Sequence, residues 1–140
     1  MLEKKKARLV KQLGHQVRDR VKWLNKEKLG YELCWNGNMA GACLMASYML
    51  RYALRKHGIF AELKRGYYRG NYHWWLVVDS HIVDLTATQF GMQAPVYITD
   101  NTKNYSEIRR KLKRGRYALW PKRLYPPQYT KFFKNIGTLA

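Results

Sequence analysis

The chain is poor in acid. Only 9 of its 140 residues are Asp or Glu, against 27 Lys and Arg, which leaves a formal charge of +18 at neutral pH. A deficit of that size excludes a self-neutralised surface and brings polyanionic partners into consideration: nucleic acid, an acidic protein or an anionic membrane surface. Cysteine is scarce as well. Cys34 and Cys43 are the only 2, too few for a disulfide scaffold, and no Cys-x-x-Cys or paired Cys/His spacing offers a zinc site. The expectation is free thiols in a reducing, cytoplasmic setting, with no metal and no cofactor. Long apolar runs are missing too, so no transmembrane helix is expected. Near the start, Ala7-Arg8-Leu9-Val10-Lys11-Gln12 carries charges where a secretory signal would need an apolar stretch.

What is present suffices for a core. Apolar residues make up 46% and aromatic residues 14% of the chain, and 16.7 kDa fits a single domain over residues 1–140. The basicity is confined to the ends. Residues 1–30 hold ten basic and three acidic side chains, and residues 101–140 hold eleven and one, whereas residues 31–100 hold six and five. The organisation predicted is a basic amphipathic helix over 1–30, a nearly neutral core over 31–100 and a basic C-terminal extension over 101–140.

Within 3–28, Leu9, Leu13, Val17, Val21 and Leu24 recur every three or four residues, which predicts a helix. A second helix is expected from Ala42 to about His57, ended by Gly58. The period then becomes strand-like. His73-Trp74-Trp75-Leu76-Val77-Val78 and Ile82-Val83-Asp84-Leu85-Thr86, separated by Asp79-Ser80-His81, predict a hairpin. The four-residue spacing of Ile108 and Leu112 predicts a short helix over 105–113.

Three residues carry the chemistry this pattern allows. Cys43 sits in the first turn of the second helix, where unpaired N–H groups and the helix dipole favour a thiolate. A turn centred on Asp79-Ser80 makes Asp84 the diagonal, same-face neighbour of His73 across the hairpin, so that Asp84 can orient the imidazole. A turn one residue longer or shorter would put the two on opposite faces. Cys34, in a loop, lacks a helix N-terminus to activate it and is expected to be structural. Asp79 is the alternative acid, but its turn position suits local backbone bonding. The loop residues Trp35 and Asn38 are candidate oxyanion donors beside the Cys43 N–H. Trp74 and Trp75 alternate across the strand, so one is expected to fill the core and the other to wall the cleft. Gln89 is expected either to hydrogen-bond near these residues or to close the loop after the strand.

These residues resemble a known family. Gly41-Ala42-Cys43 before an Ala-rich helix, His73-Trp74-Trp75-Leu76-Val77-Val78, and Ile82-Val83-Asp84-Leu85-Thr86-Ala87-Thr88-Gln89-Phe90 are similar to the transglutaminase-like branch of the papain-like cysteine enzymes, in particular its compact bacterial and phage members. The resemblance spans roughly residues 33–92. It implies an α+β, papain-like (transglutaminase-like) fold in which the helix bearing the nucleophile packs on an antiparallel sheet. It also implies a triad of Cys43 as nucleophile, His73 as general base and acid, and Asp84 as orienting residue. The implied activity is acyl transfer on amide bonds of a protein or peptide through a thioester, namely hydrolysis of a peptide or isopeptide bond, or glutamine deamidation. The chain is small and has no acidic cluster for calcium, so calcium-dependent cross-linking is not expected.

A second function class keeps the fold without the chemistry: a basic protein that clamps nucleic acid or an acidic protein through its ends. The docking residues would be Lys4, Lys5 and Lys6, together with Arg109, Arg110, Lys111, Lys113, Arg114 and Arg116.

Overall fold

The computed structural model describes residues 2–26 and 43–109, with the side chains of 23–26 left aside. Helix α1 runs over Lys4–Lys26. Its periodic positions Val10, Leu13, Val17 and Val21 are wholly buried, while Lys4, Lys5, Arg8 and Lys11 face solvent. One position breaks that division. Arg18 is buried, and its guanidinium donates to the carbonyl of Leu85 and, at 3.3 Å, to that of Pro95. One turn earlier the missing side chain of Gly14 admits Leu85 and Val96, since a Cβ there would lie 2.8 Å from Val96 Cγ2. The basic helix is thus part of the core and not an appendage to it.

Helix α2 covers Cys43–Lys56 and buries Met45, Ala46, Met49, Leu50, Ala53 and Leu54. Gly58 stops it in the left-handed region, at φ 73°. The N–H of Ile59 returns to Leu54 O and that of Gly58 to Arg55 O, the paired bonds of a Schellman cap.

Five strands follow: β1 (Glu62–Tyr68), β2 (Asn71–Val78), β3 (His81–Asp84), β4 (Tyr97–Thr99) and β5 (Tyr105–Glu107), with a 3₁₀ turn over Ala87–Phe90 between β3 and β4. They form one sheet in the order β4-β3-β2-β1-β5, antiparallel at every pairing. Two-residue turns join β1 to β2 and β2 to β3. Arg69 and Gly70, and Asp79 and Ser80, all adopt positive φ, the twist that suits a tight hairpin. The expected β2–β3 turn is therefore the observed one, and Leu76 pairs Val83 while Val78 pairs His81. Leu76, Val78, Val83 and Leu85 join the helices in a single apolar cluster, so the described residues form an α+β arrangement of two helices and a five-stranded antiparallel sheet.

The helix predicted over 105–113 is not formed where it is described. Residues 105–107 are β5, paired to β1 with Tyr68 opposite Tyr105 and Gly66 opposite Glu107. Gly66 explains the approach, because a Cβ there would stand 2.0 Å from Ser106 O. Lys64 fastens the edge further, 3.0 Å from Glu62 and 3.2 Å from Glu107. A three-residue strand is too short to show alternation in sequence, and its stability comes from a partner some forty residues earlier.

Candidate active site

The site begins with the alternation of β2. His73 and Trp75 project to one face, opposite to Leu76 and Val78 of the helical core, and Asp84 enters that face from β3. His73 Nε2 lies 2.7 Å from Asp84 Oδ2, and both residues are fully buried. Asp84 is saturated with donors. Tyr105 Oη donates to Oδ2 at 2.8 Å, the backbone N–H of Thr86 donates to Oδ1 at 2.9 Å, and Thr86 Oγ1 donates to the same oxygen at 3.4 Å. A buried carboxylate without such partners would carry a large desolvation cost.

Aromatic rings enclose this pair. The Phe90 ring meets the imidazole edge to face with centroids 4.9 Å apart. Tyr68 stacks on Phe90 at 4.7 Å, and Tyr105 stands against Trp75 at 5.1 Å. Burial is the largest influence on the imidazole and by itself would drive off its proton. The hydrogen bonds to Asp84 and Cys43, and the charges of both, outweigh it and hold the His73 pKa up to about 9, against an ordinary 6.5. Tyr105 responds in the opposite sense: burial and the adjacent Asp84 charge push its phenol far above the usual range, so it remains a donor.

Cys43 is a free, half-buried thiol at the first position of α2, close enough to help hold the His73 proton. With Nε2 engaged by Asp84, Nδ1 is the nitrogen left to face other groups. Gln89 Nε2 approaches that same nitrogen at 3.3 Å and donates to Thr86 Oγ1 at 3.3 Å. The structure thus brings Cys43, His73, Asp84 and Gln89 together. No protein-family model, curated protein or solved structure matches this chain.

The remaining candidates fall elsewhere. Trp35, Asn38 and the rival thiol Cys34 lie outside the described residues, as do Arg110, Lys111, Lys113, Arg114 and Arg116. Trp74 and Trp75 are both buried, so neither is an open cleft wall. Asp79 is in the turn and bonds Lys6 Nζ at 2.8 Å, which removes it as an alternative acid; the Lys6 bond holds its carboxyl below the usual range. Lys4, Lys5 and Arg109 are exposed. His81 opens β3 and bonds the backbone oxygen of Asp79 at 2.8 Å, while His15 and His57 are on the surface. Among the described residues, no group of three or more His, Cys, Asp or Glu is arranged to hold a metal ion, and no helix is long and apolar enough to cross a membrane.

Two members of the site escaped the sequence. Thr86 had a local signal, since an Asp followed two residues later by a backbone N–H is a common side-chain turn. Tyr105 had none. Its route to Asp84 depends on β5 returning to the far edge of the sheet.

Proposed function

We propose that this chain is a cysteine-dependent acyl-transfer enzyme of papain-like, transglutaminase-like architecture that cleaves amide bonds. The observation that carries the reading is the wholly buried His73–Asp84 pair at 2.7 Å, with the Cys43 thiol among the groups that hold the imidazole's proton. A structural pair of this kind is costly to bury and gains little over apolar packing. Its usefulness lies in the proton it holds beside a thiol at a helix N-terminus.

At neutral pH His73 keeps its proton, and the reaction starts from the Cys43 sulfur as a thiolate beside that imidazolium. The thiolate attacks the amide carbonyl carbon, forming the C–S bond, and the oxyanion takes a hydrogen bond from the Cys43 backbone N–H. As the C–N bond breaks, His73 gives its proton to the leaving nitrogen, which departs as an amine, or as ammonia from a glutamine side chain. A thioester remains. Water then attacks the thioester, His73 accepts its proton, and the C–S bond breaks to release a carboxylic acid and regenerate the thiolate. Asp84 keeps the ring oriented and its charge balanced throughout, without itself taking the proton.

Iodoacetamide is expected to label Cys43 well ahead of Cys34 near pH 7, and His73→Ala to slow that labelling at least tenfold. Cys43→Ala should abolish acyl-probe labelling and lower amide turnover by about a thousandfold or more, with the urea unfolding midpoint retained. Equal and slow labelling of both thiols in the folded protein would sink the proposal.

A further inference from the structure

The end of α2 remote from Cys43 carries a feature that acyl transfer does not use. Arg51 and Arg55, one turn apart, line a cleft of about 230 Å³ with Gly58, Ile59, Phe60 and Ala61. Gly58 has nothing within 4 Å of where a Cβ would be, so this corner is open. Ile59 also borders a second cleft, of about 460 Å³, whose other walls include Lys5, Arg8, Leu9 and Gln12 of α1. Among the described residues, Glu3 is the only acid lining either cleft. Lys6 also lines the second cleft but is bound to Asp79.

Phe60 stands at the edge of this surface and is 79% exposed, the most exposed of the large apolar side chains among the described residues. Helix-dipole complementarity accounts for a cation near the end of α2. It does not account for a phenylalanine ring held in water beside two arginines. Arg51 is held in turn over the Tyr48 ring, 5.0 Å from its centroid. A lone aromatic ring set among cations at a concave surface is the arrangement that stacks a base while neighbouring side chains take phosphates.

We infer that these joined clefts dock single-stranded nucleic acid. Phe60 stacks on an unpaired base, and Arg51, Arg55, Lys5 and Arg8 neutralise the phosphates on either side. A duplex hides its base faces and would leave Phe60 unused. A membrane surface would call for several apolar side chains projecting together, whereas of the apolar residues lining these clefts Ile59 and Ala61 are buried, Leu9 is half-buried and only Phe60 projects into solvent. Arg55 is twelve residues along α2 from Cys43, about 18 Å at 1.5 Å per residue. Docking therefore does not compete with the thiol for space and stands whether or not the acyl-transfer reading does.

The test is fluorescence anisotropy of labelled oligothymidylate with the full chain over a salt series. Phe60→Ala should weaken binding at least about fivefold, and the Arg51→Gln/Arg55→Gln double variant should reduce the log–log salt slope by about 0.7 for each phosphate no longer neutralised. Lys22→Gln/Lys103→Gln, exposed positions lining neither cleft, is the charge-matched control and should retain the sensitivity to Phe60. Three outcomes overturn the inference: binding indifferent to Phe60→Ala and weakened equally by the control pair, tighter binding to duplex than to single strand, or binding to anionic phosphatidylserine vesicles with none to oligonucleotide. Iodoacetamide labelling of Cys43 in the same variants should be unchanged, so this inference and the enzyme reading fail separately.

Discussion

Asp84 receives four donors from three directions: the imidazole of His73, the phenol of Tyr105, and the backbone and hydroxyl of Thr86. Each donor fixes the carboxylate, and the carboxylate fixes the ring. Asp84→Asn replaces the charge that balances the imidazolium by a neutral amide, and a fall in turnover of about 10⁴ is expected from the same change in other triads, read with an acyl probe on protein whose circular dichroism is retained. Tyr105→Phe keeps the ring packing and removes one donor to Oδ2. More of the Asp84 charge then falls on His73, so the imidazole titration followed by NMR should move upward, with the rate of Cys43 alkylation tracking it. An unmoved titration would reduce Tyr105 to a packing role. The pH dependence of stability has a definite sign. The native imidazole holds its proton to about pH 9 and the unfolded one only to about 6.5, so the stability from this residue is complete below pH 6.5 and is lost as pH rises through 9. The wild-type urea midpoint should fall over that window more steeply than the midpoint of His73→Asn.

At the scale of elements, the site depends on strands arriving in register. β2 is central in the sheet, which buries His73, and the two-residue turn at Asp79-Ser80 sets Asp84 diagonally across from it. β5 is a more conditional part. It stays on the β1 edge because Gly66 has no side chain, and Gly66→Ala would drive a methyl group into the Ser106 carbonyl. That substitution should cost about 1–3 kcal/mol in urea denaturation and should also detach Tyr105 from Asp84, reproducing the shifted His73 titration of Tyr105→Phe. A loss of stability with no change at His73 would show that β5 yields elsewhere. The first helix acts on the site from behind: Arg18 anchors the carbonyls of Leu85 and Pro95, which flank the turn carrying Gln89.

For the whole molecule, part of the charge of +18 is carried by an element of the core. Much of the positive charge of α1 covers the outer side of a helix whose inner side belongs to the core. Removal of residues 1–22 should therefore abolish the cooperative urea transition and not merely lower affinity for polyanions, because Val10, Leu13, Val17 and Val21 leave with the charges. A truncated chain that still unfolded cooperatively would restore the helix to the status of a detachable docking arm.

Features that depend on local pattern were legible in the order of the residues. The two helices, the stop at Gly58 and the β2–β3 hairpin with its register follow from spacing and turn chemistry acting over a few residues. The His73–Asp84 relation was legible for the same reason: the side-chain period of a strand is 2, and a tight turn leaves no freedom in the pairing. Contacts between distant segments were settled by the fold. Tyr105 reaches Asp84 because β5 crosses to the opposite edge of the sheet, and Arg18 turns inward because the segment after β3 offers it carbonyls. Phe60 became conspicuous only when two basic helices bordered the same concave surface. Such pairings are set by loop closure and burial across the whole chain, and no window of neighbouring residues contains them.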